Sequence, residues 1–171
     1  CQALANEGDV KSQSMLGLFY QYGYRVTKDY KLAFDLYPKA AEQGSADGQS
    51  GLGAMYLQGD GVLKDYQQAF DWGSKAAEQG NAQAQFDLGG MYASGRGGVS
   101  KDPKTAFEWQ LKAAKQGLAQ AQNNIGVMYS NGDGVAQDHT KAFEWYEKAA
   151  NQGNAMAQNN LGVLYQNGKG V

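Results

Sequence analysis

Few side chains occur in spacings that support catalysis or metal binding. Asp60 and Asp133 lie in G-D-G-V loops that faintly resemble calcium loops, but the D-x-D-x-D-G spacing and the glutamate at the twelfth position are absent. We interpret these loops as turns that end helices. His139 is the single histidine, which excludes a two-histidine metal site. Because it directly follows a predicted helix cap, we expect a solvated side chain there and not a general base.

Nucleophile and phosphate-binding motifs are also missing from the sequence. No G-x-G-x-x-G, G-x-x-x-x-G-K, G-x-S-x-G or S-x-x-K string occurs, so we predict no catalytic residue and no cofactor. Cys1 is the single cysteine, which excludes an intrachain disulfide and a cysteine-based zinc cluster. We interpret Cys1 as a terminal thiol; the alternative is the lipid-bearing cysteine of a bacterial lipoprotein.

Composition indicates a folded, soluble chain. Of the 171 residues, 42% are apolar and 19% are charged, and the net charge is −2. No basic excess is available to neutralise phosphates, so nucleic-acid binding is disfavoured. No apolar run approaches the roughly 20 residues of a membrane span. The first residue is not Met, so we expect upstream sequence to have been removed.

Internal repeats organise the whole chain. The string K-A-A-E-Q-G and its close variants end at Gly44, Gly80, Gly117 and Gly153, in steps of 36, 37 and 36 residues. L-G-x-M-Y strings alternate with them. We therefore predict a single solenoid over 1–171, with partial repeats at 1–8 and 154–171 and full repeats at 9–44, 45–80, 81–117 and 118–153. Both ends fall inside a repeat, so we expect a fragment of a longer array or an array with unusual ends.

Each repeat is predicted to be a helix hairpin, with a first helix A and a second helix B. In the third repeat, Asn81 suits an N-cap for helix A, and Asp102 caps helix B with Pro103 at its first position. Gly117 suits the C-terminal turn of helix B. Hairpins of this kind bury their apolar faces only by stacking, which predicts an all-α solenoid.

Two departures from ideal helices carry information. A glycine recurs in the middle of every helix A, where it lowers helix stability by about 1 kcal/mol relative to Ala. We therefore expect the helices to approach each other closely at these glycines. They are Gly17, Gly53, Gly89, Gly126 and Gly162. In the first repeat, Pro38 falls inside helix B and Arg25 replaces a loop glycine. We therefore predict that this repeat is kinked or the least protected from hydrogen exchange.

The order A-x-A-Q-x-x-L-G-x-M-Y, G-x-G-V, D-x-x-x-A-F-x-W and K-A-A-E-Q-G resembles the Sel-1-like repeat, a subclass of the tetratricopeptide repeats. The resemblance covers essentially the whole chain. It implies a right-handed α/α superhelix whose concave face is lined by A helices. It also implies an adaptor in multi-protein complexes, often in a bacterial envelope or in host interaction. The cysteine-rich branch of that family, with its link to penicillin binding, has disulfides that this chain lacks.

Variable positions on helix A suggest a binding face. The third, sixth, tenth and thirteenth residues of each repeat lie opposite the apolar arc and carry amides and small apolar groups with little charge. Amides can pair with both the N–H and the C=O of an extended peptide. The candidate groove residues are Gln83, Phe86, Gln120, Asn123, Val127 and Asn159.

We therefore expect a non-enzymatic scaffold that binds a protein or peptide partner through the A-helix groove, with no nucleic acid and no membrane span involved. One alternative, by family association only, is a hydrolase related to β-lactamases and penicillin-binding proteins. Another is an inert structural spacer. Location in a bacterial periplasm, envelope or secreted fraction follows from the resemblance, and the cytoplasm stays open.

Overall fold

The computed structural model describes residue 5 and residues 8–168. All regular structure longer than one turn in these residues is α-helical, which confirms the all-α expectation. Cys1 lies outside the described residues. In chain order the helices are α1 Val10–Tyr22, α2 Tyr30–Glu42, α3 Ala46–Gln58, α4 Tyr66–Glu78, α5 Ala82–Ser94, α6 Pro103–Lys115, α7 Ala119–Asn131, α8 His139–Asn151 and α9 Ala155–Gln166.

Asn81 caps helix α5 as predicted, since its side chain accepts a hydrogen bond from the Ala84 amide at 3.0 Å, and other A helices have equivalent caps. The side chain of Ser45 accepts a hydrogen bond from the Gly48 amide at 3.1 Å, and Asn154 accepts one from the Ala157 amide at 2.9 Å. Each cap satisfies an amide that has no partner inside its helix. Helix α7 is the exception, because Leu118 occupies the cap position and offers no side-chain acceptor.

The B helices begin and end as predicted. Asp102 accepts hydrogen bonds from the amides of Lys104 and Thr105 at 3.0 and 3.2 Å, and Pro103 occupies the first helical position. Gly117 follows the helix with φ 93°, a left-handed conformation that glycine adopts without strain. Among the described residues other than glycine, only Arg25 has a positive φ, at 58°, in the loop position predicted to need glycine.

The chain divides into two compact units. Unit 1 comprises residues 1–87 and 96–99, and unit 2 comprises 88–95 and 100–171, so the division falls within α5. Consecutive helices α1 to α4 pack together in unit 1, and consecutive helices α6 to α9 do so in unit 2. Tyr37 and Met55 lie in the core of unit 1, while Tyr146 and Leu164 lie in the core of unit 2.

Four of the five mid-helix glycines mark close approaches, as predicted. A Cβ added at Gly89 would lie 2.8 Å from Cγ of Gln110 and 3.1 Å from the Ala106 carbonyl oxygen. At Gly126 it would lie 2.5 Å from Cδ1 of Tyr146. Gly162 differs, because no described atom would lie within 4 Å of its Cβ. The expectation for Gly162 is therefore wrong within the described residues.

Helix α2 is one helix that continues through Pro38. Tyr37, its neighbour, is 2% exposed and donates a 2.8 Å hydrogen bond from its hydroxyl to Oε1 of Gln21 in α1. Packing of this kind holds a helix whose own ladder lacks the proline N–H. The lower exchange protection of this repeat stays a prediction.

A repeated glutamine connects successive hairpins. In unit 1 the side-chain amide of Gln85 donates to the Ala77 carbonyl at 3.1 Å, and Gln49 donates in the same way to Ala41 at 3.2 Å. Both glutamine side chains are buried. The bonds satisfy carbonyls at the end of the preceding B helix. This explains why the Q of the A-x-A-Q block recurs in every repeat.

Candidate functional site

The six predicted groove residues fall in different units. Gln83 and Phe86 belong to unit 1, and Gln120, Asn123, Val127 and Asn159 belong to unit 2. Gln83 is exposed and donates a 3.1 Å hydrogen bond to Asp87, while Phe86 is half-buried. Unit 2 contains four of the six residues and holds the candidate site.

The A helices of unit 2 carry no charge. Neither α7 nor α9 contains an Asp, Glu, Lys or Arg residue, and residues 88–94 of α5 contain none either. The charged residues of the unit's helices lie on α6 and α8. There, for example, the ammonium of Lys112 lies 3.7 Å from the ring centroid of Trp109, and Lys148 lies 4.4 Å from Trp145. The sequence pattern thus separates a neutral A-helix surface from charged B helices.

Two predicted residues are exposed on this neutral surface, Gln120 of α7 and Asn159 of α9. Each carboxamide offers an oxygen that accepts and an N–H₂ group that donates hydrogen bonds. Neutral amides exchange hydrogen bonds with a peptide backbone without the desolvation cost of a buried charge. The exposed part of the predicted site therefore offers donors and acceptors of the kind that a peptide backbone pairs with.

Asn123 is placed differently from the expectation. Its side chain is buried, at 4% exposure, and its Oδ1 accepts a 3.1 Å hydrogen bond from Nδ2 of Asn160 in α9. The expectation that Asn123 lies on an open face is therefore wrong. One helix viewed alone shows which side a residue takes, but only the neighbouring helix decides whether that side is covered.

Val127 is half-buried and contacts both the core of unit 2 and a cavity. It packs against the core cluster that contains Tyr146 and Leu164. It also lines a cavity of about 380 Å³ in unit 2. The cavity is lined from α5, α6, α7 and the loops beside them by Gly90, Ala93, Lys101, Pro103, Ala106, Gln110, Asn124, Val127, Met128 and Asp133.

Most of the cavity residues were not predicted from the sequence. Gly90, Ala93 and Val127 belong to the variable A-helix positions, but residues such as Gln110 and Asn124 were not among the candidates. Gly90 gave the usable signal. It stands where the other repeats have larger side chains, namely Leu18, Ala54, Val127 and Val163.

One carboxyl group near the predicted residues is electrostatically unusual. Burial raises the pKa of Asp87 to about 6, although its hydrogen bond from Gln83 acts in the opposite direction. Asp87 lies in unit 1, outside the neutral surface of unit 2. No group of three His, Cys, Asp or Glu residues within the described part of the chain could hold a metal ion.

Asp133 and His139 both lie beside helix ends, Asp133 just after α7 and His139 at the start of α8. Asp133 is exposed and accepts a hydrogen bond from Asn131 at 3.2 Å. His139 is the first residue of α8, directly after the Asp138 cap, but its side chain is half-buried and its Nδ1 is buried, so the expectation of a solvated side chain is wrong. Asp138 also forms a 3.2 Å ion pair with Lys141, one turn into the helix.

No helix of residues 8–168 has the length and apolar character needed to cross a bilayer.

Comparison with protein families gives a match over nearly the whole chain. The family model described as the Sel1 repeat matches residues 10–45, 46–81, 82–118, 119–154 and 155–171. A search of the curated protein sequences found no match.

Solved structures give strong matches. A protective antigen of uropathogenic Escherichia coli with an SLR fold is 44% identical with a TM-score of 0.88, and the match covers 99% of this chain but 36% of that protein. A Sel1 repeat protein from Oxalobacter formigenes is 35% identical with a TM-score of 0.81, covering 96% of this chain and 68% of that one. The cysteine-rich protein B of Helicobacter pylori is 28% identical with a TM-score of 0.61, covering 78% and 96% respectively.

Proposed function

The chain belongs to the Sel1 repeat family, and we propose that it is a non-enzymatic scaffold that binds an extended segment of a protein partner on the A-helix surface of unit 2. Sel1 repeat proteins are helical scaffolds that generally serve protein interaction and are typically non-catalytic. The surface proposed here comprises the exposed amides of Gln120 and Asn159 together with the cavity beside Val127.

The observation that carries the proposal is the absence of charge from the A helices of unit 2. A solvated helix face with no function has no need to exclude all four charged residue types, and the B helices of the same unit carry several. A neutral, amide-bearing surface next to a cavity supplies backbone hydrogen bonds and a site for apolar burial together. Peptide grooves use both.

The proposal is tested by selecting random peptides displayed on phage against the immobilised chain. We expect peptides to be enriched, and we expect a synthetic copy of the enriched sequence to bind in solution. If the chain is instead an inert structural spacer without a binding site, no peptide should be enriched. A parallel assay of nitrocefin turnover tests the hydrolase alternative, for which we expect no rate above the uncatalysed one. Absence of enrichment, or turnover that depends on the protein, contradicts the proposal.

A further inference from the structure

The cavity in unit 2 opens directly beside Gly90. A Cβ added to this glycine would meet no described atom within 4 Å, so the space next to the helix is open. The preceding residue, Gly89, has the opposite environment, with a Cβ position 2.8 Å from Gln110. The two adjacent glycines therefore have different structural roles. Gly89 allows close helix packing, whereas Gly90 leaves a space that a side chain would occupy.

The lining of the cavity defines the chemistry it accepts. Ala93, Ala106, Val127 and Met128 contribute apolar surface. At about 380 Å³ the cavity lies within the usual range for ligand pockets, roughly 300–1,000 Å³, so it has room for one large side chain together with part of the backbone that carries it. Its two charged lining residues, Lys101 and Asp133, are of opposite sign and both exposed, so the lining has no net charge that would favour a charged ligand.

Polar groups in the lining match a peptide backbone. The carboxamide of Asn124, half-buried on α7, and that of Gln110, buried on α6, both border the cavity. Each can donate and accept hydrogen bonds. A peptide whose apolar side chain enters beside Gly90 would therefore meet polar as well as apolar lining groups in the same cavity.

We propose that the Gly90 cavity is a specificity pocket that takes one large uncharged side chain, aliphatic or aromatic, of a bound peptide. This inference rests on the proposed function and deepens it, because it names the chemistry of the residue that the partner must present. It predicts that the third repeat, where the glycine stands, selects the anchor. The other repeats fill the equivalent position with their own side chains.

The pocket is tested with small probes that need no identified partner. Uniformly ¹⁵N-labelled protein is titrated with N-acetyl-L-leucinamide, N-acetyl-L-phenylalaninamide and N-acetylglycinamide. We expect the first two to shift the amide resonances of cavity residues such as Ala93 and Val127, and the glycine derivative to leave them unchanged. Equal shifts with all three probes, or no shifts at the cavity, overturn the inference.

Two variants complete the test. Gly90→Val places three additional carbon atoms where the probe side chain would bind and should weaken probe binding by at least about tenfold, the scale of one methylene in an apolar pocket. Gly162→Val is the matched control, since Gly162 is also an exposed helical glycine with open space around its Cβ, and it should leave binding unchanged. Thermal melting checks that both variants fold. If Gly90→Val binds the probes as tightly as the parent protein, the pocket assignment is wrong.

Failure of the pocket and failure of the proposed function give different results. If phage-selected peptides bind the parent protein and Gly90→Val equally, and no single apolar residue of the peptide is needed, the scaffold function stands and the pocket does not. If no peptide is selected at all, the function falls and the pocket falls with it.

Discussion

The side-chain amide of Gln152 donates a 2.7 Å hydrogen bond to Oε1 of Gln122. Gln122 in turn donates from Nε2 to the carbonyl of Ala114 at 3.2 Å. The two glutamines come from the A-x-A-Q and A-A-x-Q-G blocks, so they join the A helix of one repeat to the ends of two successive B helices. Gln122 is 6% exposed, and its bonds are therefore made in a low-dielectric environment.

Gln122→Ala should destabilise the protein by about 1–3 kcal/mol, because it leaves the Ala114 carbonyl and the Gln152 amide without this partner. Gln158→Ala is the matched control. Gln158 makes the equivalent bond to Ala150, but it is exposed and the bond is longer, at 3.4 Å. Urea unfolding measures both changes. Equal losses in the two variants would show that burial of the glutamine does not matter.

Gly89→Leu should destabilise by about 1–3 kcal/mol or more, since a side chain there is forced against Gln110 and the Ala106 backbone. Leucine at Gly162 meets no described atom within 4 Å of its Cβ, so Gly162→Leu should gain helix propensity and lose no stability. Thermal melting of the two variants decides the matter. A melting temperature for Gly89→Leu at or above that of the parent protein would refute the close-approach explanation.

Arg25→Gly should stabilise the protein by up to about 1 kcal/mol, because relief of the left-handed backbone strain exceeds the entropy lost by glycine. The φ of 58° at Arg25 is close to the 70° of Gly134 at the equivalent loop position. Arg25→Ala keeps a Cβ and should give no such gain. Chemical denaturation of both variants provides the measurement, and a gain in the alanine variant would point to the arginine side chain instead of the backbone.

The sequence predicted the parts of the fold that one repeat determines by itself. Asp102 and Pro103 define a helix start through local hydrogen bonding and a fixed φ, so their roles could be read from neighbouring residues. Arg25 was likewise found because it departs from a loop glycine. The buried glutamines recur just as regularly, but their partners lie on another helix, and only the structure identifies them.

The candidate site was less predictable because it depends on several helices at once. Asn123 was placed on an open face by helical periodicity, yet Asn160 of α9 covers it. The cavity is bordered by three helices, so no single periodic pattern contains it. Gly90 is the smallest residue at its repeat position, but smallness alone does not distinguish a pocket from close packing.

Asp87 should make stability depend on pH. Burial raises its pKa to about 6, so the folded protein binds this proton more tightly than the unfolded chain does. The resulting stabilisation is fully present at acidic pH and is lost as the pH rises through about 6. Asp87→Asn, which installs the residue found at Asn124 and Asn160, should therefore gain stability over the parent protein at neutral pH.

That advantage should shrink as the pH falls, because the parent carboxyl then becomes neutral as well. Unfolding free energies of the two proteins, measured between about pH 4 and about pH 8, give the difference directly. A difference that is constant across this range would mean that Asp87 titrates alike in the folded and unfolded states.

The most direct test of the scaffold assignment is a fluorescence-anisotropy titration of a phage-selected peptide against the parent protein and the double variant Gln120→Ala/Asn159→Ala. Both side chains are exposed, so the variant should have the same melting temperature as the parent protein. We expect about tenfold weaker binding in the variant, equivalent to about 1.4 kcal/mol. For the parent protein, the affinity should change little between about 0.05 and about 0.5 M salt, because the A helices of unit 2 have no charge to screen. Unchanged binding by the variant, together with a steep loss of affinity in salt, would contradict the account and place the partner on the charged B helices.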